Sequence, residues 1–163
     1  MNTVETVQEQ ETALNVRTIL VAVDLSPHSE RTVDYAVSIA RLFGASLKVI
    51  HVYAPPASTE FGAQDMYRFL EKDREDAERR LNSLADRVQG IYPKCEAISL
   101  TGDPAEEVAR VASLVGADLI VVGRHHQTFL GRFFKLDQAP KIIHRAACPV
   151  LVWEDDDNWV SRR

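Results

Sequence analysis

Little in this chain marks it for a membrane, a disulfide or a metal. Its 163 residues contain no apolar run approaching the ~18 residues of a membrane helix, and no secretory apolar stretch near the N-terminus. A soluble, cytoplasmic protein without a membrane partner is expected. There are two cysteines, Cys95 and Cys148, far apart and without a C-x-x-C pair. Neither a disulfide framework nor a zinc site is expected, which suits a reducing cytosol. Cys148, just before Pro149, reads as a small buried apolar residue. The net charge is −5 and no block of Lys or Arg occurs, which argues against nucleic acid as a partner.

The usual signatures of chemistry are also missing. The chain has no G-x-x-x-x-G-K-[ST] phosphate loop, no G-x-G-x-x-G and no G-x-S-x-G elbow. Ser26 and His28 follow Asp24, but a triad is defined by geometry, and Ser26 reads first as a helix cap. His125 and His126 are adjacent, so their side chains diverge. Even with His144 as a third ligand, no metal site is expected. His51, inside a strand, reads as a hydrogen-bonded, partly buried imidazole. No catalytic residue is expected.

What is present is a strict alternation. Thr18 to Val23 is a continuous aliphatic run, the mark of a central strand buried on both faces. Ser26 as cap and Pro27 at the first helical position predict a helix that Gly44 ends. Residues 46–53 predict a second strand. A long helix follows from about residue 60 to 88, with Leu70, Ala77, Leu81, Leu84 and Val88 on one stripe. Nine of the ten residues from Glu71 to Arg80 are charged. They read as a solvated face with pairs Glu75–Arg79 and Asp76–Arg80. Residues 94–100 predict a weaker strand near a sheet edge. Asp103-Pro104-Ala105-Glu106 opens a helix as a capping box. Strand 118–122, a loop, a helix from about Asp137 to Ala146 and strand 148–153 complete the chain. Such alternation specifies one α/β domain, a parallel sheet with helices on both faces, over residues 17–153. Residues 1–16 and 154–163 read as flexible arm and tail. Ligands in such sheets gather at the carboxyl ends of strands, which directs attention to the loop after Gly123.

The runs from Ile19 to Asp24, Gly102 to Pro104, Ala117 to Gly123 and Cys148 to Val152 together resemble the universal stress protein family. The resemblance implies an open, five-stranded parallel α/β sheet of order 3-2-1-4-5, Rossmann-like, and a homodimer. It also implies a cytoplasmic stress role without an established general reaction. One branch of that family binds ATP through Gly, two residues, Gly, nine residues, Gly, then Ser or Thr. Laid on this chain without gaps, the first glycine is Gly123, the second falls on His126, and the final pair falls on Leu136 and Asp137. The resemblance further implies that Asp24 contacts ribose or adenine and that Val52 contacts the base. The nucleoside end is kept and the phosphate end is not, which resembles the branch that does not bind ATP.

The physical reading of these departures agrees. An imidazole at 126 fills space that main-chain amides need around a phosphate. Asp137 is expected to cap the last helix, taking its amides and opposing a phosphate with like charge. Arg124, Arg132 and Lys135 offset part of that. The expectation is a non-catalytic regulatory or interaction protein without cofactor, with a protein partner that the residues do not name. The alternative is an ATP- or ADP-binding protein with at most slow hydrolysis. The last strand, Val150, Leu151, Val152 and Trp153, is apolar on both faces and lacks the usual edge protection, so it is the expected dimer interface.

Overall fold

The computed structural model describes residues 14–55, 63–124 and 138–154. Among the described residues nine elements follow one another: β1 (Thr18–Ala22), α1 (Ser29–Phe43), β2 (Ser46–Tyr53), α2 (Ala63–Gln89), β3 (Cys95–Thr101), α3 (Pro104–Leu114), β4 (Leu119–Arg124), α4 (Gln138–Arg145) and β5 (Val150–Glu154). The five strands form one sheet of order β3-β2-β1-β4-β5, and every pairing is parallel.

Strand β1 is central because its side chains tolerate no water on either face. Ile19, Leu20 and Val21 are fully buried. Ile19 and Val21 join a cluster with Val33, Val37 and Ala40 of α1 and Leu81, Leu84 and Val88 of α2. Leu20 points the other way, into a cluster with Val108, Val111 and Ala112 of α3 and Ile142 of α4. The period of two along the strand therefore distributes the helices, two to each face. Asp118 fastens the amino end of the sheet. Its carboxylate accepts the amides of Arg17 (2.8 Å) and Thr18 (3.0 Å), and these two bonds hold its pKa below the ordinary value.

Several local expectations are corrected. Helix α1 begins at Ser29, not Pro27. Its cap is His28, which makes no side-chain capping bond. The Ser26 hydroxyl is buried without a hydrogen-bond partner among the described residues. The cause is Asp24, whose Oδ1 accepts the Ser26 amide at 2.9 Å and the Ser29 hydroxyl at 2.8 Å, making a turn of its own before the helix can start. Val16, assigned by its sequence to the flexible arm, is buried in the core. Cys148 is only half-buried. On α2, Arg79 pairs with Glu75 at 4.0 Å and with Asp76, while Arg80 turns inward to the carbonyl of Leu25. The calls on 1–13, His125, His126, Asp137 and 155–163 lie outside the described residues.

The start of α3 follows its sequence closely. Asp103 is extended at φ −76° and ψ 121°, its carboxylate accepts the Glu106 amide at 3.0 Å, and Pro104 occupies the first helical position. The Glu106 carboxylate lies 4.0 Å from Arg145 of α4 and so links two helices. Replacing Asp103 with alanine should cost about 1 kcal/mol in denaturant melts, the usual worth of an N-cap. An unchanged midpoint would show that the cap bond contributes nothing here.

Candidate functional site

The carboxyl ends of β1 and β2, the start of α3 and one face of α2 line an open cleft. Helix α2 makes its outer wall because of its length. Its 27 residues span about 40 Å, whereas the 8 residues of β2 span about 26 Å. Leu81, Leu84 and Val88 pack on the sheet, so the earlier turns pass beyond the strand ends. Asp73, Asp76, Ala77 and Arg80 all line the cleft. Their spacing of 3, 4 and 7 puts them on one helical face. Three members of the charge run thus face a cavity, where the sequence suggested a wholly solvated face.

The inner wall comes from the strands. His51 is 7% exposed, and its Nδ1 lies 2.9 Å from the carbonyl of Val23. A carbonyl only accepts, so Nδ1 carries the proton and Nε2 is left as an acceptor. Burial lowers the His51 pKa. The Val23 carbonyl and Asp24 oppose the shift, and Arg80 adds to it. The imidazole is therefore neutral near pH 7. Tyr53 donates its hydroxyl to Asp73 Oδ2 at 2.9 Å, and burial, with Asp73 second, pushes its pKa up to about 12. Among the described residues three carboxylates, Asp24, Asp73 and Asp76, line this cleft together with the Arg80 guanidinium.

The floor of the cleft turns on Leu25. At φ 59° it is the one non-glycine residue with positive φ among the described residues. A left-handed conformation costs an ordinary residue roughly 1–2 kcal/mol. Its side chain is 6% exposed in the core, and its carbonyl accepts from Arg80. The turn is held by the surrounding structure rather than by its own preference.

Of the residues singled out by sequence, Asp24 and Val52 meet in this cleft. Gly123 is the penultimate residue of β4, in register with Trp153, on the neighbour of the strand from whose end Asp24 leaves, and it is not among the residues that line the cleft. His126 and Asp137 are outside the described residues. Among the described residues no group of three or more His, Cys, Asp or Glu is arranged for a metal, and no helix is long and apolar enough to cross a membrane. On β5, Leu151 packs on the first core cluster and Val150 on the second. Trp153 stacks on Tyr35 of α1, ring centroids 4.1 Å apart and planes 17° from parallel. Val152 is 38% exposed. Three of these four side chains are thus already engaged within the subunit. Sequence reading missed Asp73, Arg80 and Tyr53. The signal was the i, i+3, i+4, i+7 spacing around Ala77.

A parallel sheet that changes winding direction between β1 and β4, with a crevice at its carboxyl end, is a doubly wound α/β domain of the kind that receives ligands at that end. The chain belongs to the universal stress protein family, whose profile matches residues 15–153. It is 32% identical over 136 residues to the universal stress protein in the QAH/OAS sulfhydrylase 3′ region of Thermus aquaticus, covering 83% of this chain and 97% of that one. The solved universal stress protein UspA of Lactobacillus plantarum superposes with a TM-score of 0.69 at 22% identity, covering 85% of this chain and 97% of that one. The universal stress protein of Archaeoglobus fulgidus solved in complex with dAMP superposes with a TM-score of 0.58 at 24% identity, covering 83% and 96%. These likenesses establish the shared fold.

His51 makes the cleft wall pH-sensitive in a defined direction. Its folded pKa lies below the unfolded value of 6.5, so below pH 6.5 the unfolded chain binds a proton that the native ring refuses. The stability held above pH 6.5 is lost as pH falls, until the buried ring itself protonates. The wild-type melting temperature should therefore fall more steeply below pH 6.5 than that of His51→Gln. Parallel curves would remove His51 from the account.

Proposed function

We propose that this chain is a non-catalytic, cytoplasmic stress-response regulator that works as a homodimer without dependence on ATP. The observation that carries the reading is the charge of the cleft. Among the described residues Asp24, Asp73 and Asp76 line it with Arg80; Asp76 is paired with Arg79, and the Arg80 guanidinium is engaged on the carbonyl of Leu25. A phosphate about 4 Å from one such carboxylate is repelled by about 4 kcal/mol at an effective dielectric near 20, before screening. His126 and Asp137, standing where the ATP-binding pattern has Gly and Ser or Thr, support the same reading. A second reading, an adenine-nucleotide binder with at most slow hydrolysis, is favoured by Asp24 and Val52 sharing one cleft and by Gly123 at the neighbouring strand end.

Calorimetry separates the two. Wild-type protein at tens of micromolar should show no heat of ATP binding, and the double change His126→Gly with Asp137→Ser should improve binding. Tight binding by the wild type would favour the nucleotide reading, and equal affinity in both would clear those residues of obstruction.

Assembly follows from β5. It ends the sheet, and its backbone groups on the outer side have no strand beside them among the described residues. Antiparallel pairing with β5 of a second copy satisfies both edges with two-fold symmetry, and the half-exposed Val152 adds an apolar contact. Val152→Lys should give monomers in sedimentation velocity, and a chain cut after Asp157 should remain dimeric. A monomeric wild type at micromolar concentration would refute the pairing.

A further inference from the structure

The loop from β1 to α1 is held from three elements at once. Its first residue, Val23, donates its amide to Ile50 of β2 at 2.9 Å and accepts from the His51 ring at 2.9 Å. Asp24 Oδ1 accepts the Ser26 amide at 2.9 Å and the Ser29 hydroxyl of α1 at 2.8 Å. Between them stands Leu25, left-handed, with its carbonyl taken by Arg80 of α2, 55 residues further along the chain. Glycine would hold this φ unaided, and asparagine nearly so. The chain instead uses leucine, whose side chain is buried in the core, and supplies the restraint from outside.

The Asp24–Ser26 bond spans Leu25. A change in the Leu25 φ swings the peptide that carries the Ser26 amide, so the restraint on Leu25 bears directly on this bond. We propose that Arg80 is a positioning residue: by holding the Leu25 carbonyl it fixes the direction in which Asp24 presents its carboxylate to the cleft, so that recognition by the β1 loop depends on α2. The proposal rests on the cleft keeping the nucleoside end of its family's site. It gives the inward guanidinium a role distinct from direct contact with an anion, which is the competing account.

The test compares Arg80→Met, Arg80→Lys and Arg74→Met. The last removes the same charge from the same helix at a residue 3.6 Å from Glu78. The readouts are hydrogen exchange of the Ser26 amide, calorimetry with adenosine and with AMP, and the melting temperature. Arg80→Met should speed Ser26 exchange and weaken adenosine, each by about tenfold, the scale of one charge-assisted hydrogen bond. The melting temperature should fall by only a few degrees, the shift that one such bond gives in a chain of this size. Arg80→Lys, which keeps a donor, should recover part of both, and Arg74→Met should change neither. Unaltered Ser26 exchange in Arg80→Met overturns the proposal. So does a loss of AMP binding with adenosine binding intact, which would make Arg80 an anion contact. A wild type that binds no adenosine defeats the nucleoside reading, and Ser26 exchange then decides the clamp by itself.

Discussion

The structure depends on β1 having no solvent face. Its hydrogen bonds are shared with β2 on one side and β4 on the other, and its side chains feed both core clusters. A strand so enclosed can present polar groups only where it ends. Asp24 stands at that exit, and the cleft forms there because the chain must leave the sheet between two packed layers. The geometry of the candidate site is thus a consequence of the core.

The exit is also where local preference is overruled. Ser26-Pro27 has the sequence of a helix start, yet the helix waits until Ser29 because the Asp24 carboxylate captures the intervening amide and hydroxyl. Leu25 is forced left-handed by the same turn. Conflict between local rule and global structure is concentrated in one turn, whose first residues, Asp24 and Leu25, line the cavity. Elsewhere, as at Asp103-Pro104, local signal and tertiary structure agree.

The same contrast explains what was legible in the sequence. The strand order followed from resemblance, and the layers followed from aliphatic runs alternating with helical periods, because burial on two faces leaves little freedom in residue choice. Helix α2 was legible as a helix but not as a cleft wall. A charged residue on a surface helix and one overhanging a cavity have the same composition, and only the length of α2 relative to β2 separates them. Arg80 was assigned to Asp76 because four-residue spacing permits the pair. Its actual partner, a carbonyl 55 residues earlier, is set by packing that no local spacing encodes. Trp153 was read as part of the dimer interface, since nothing in β5 points to Tyr35 on a distant helix.

The order of the strands has a consequence for the emerging chain. Synthesis lays down β1, then β2 and β3 outward on one side, before β4 returns to the other side of β1. The amides of Arg17 and Thr18 wait about a hundred residues for Asp118, the carboxylate that receives them. Until then the most apolar strand of the molecule has an open edge. Domains that close such distant pairs fold slowly and expose sticky surface while they do so. A half-made chain of this fold therefore keeps apolar surface open until β4 has been made, which is most of its length.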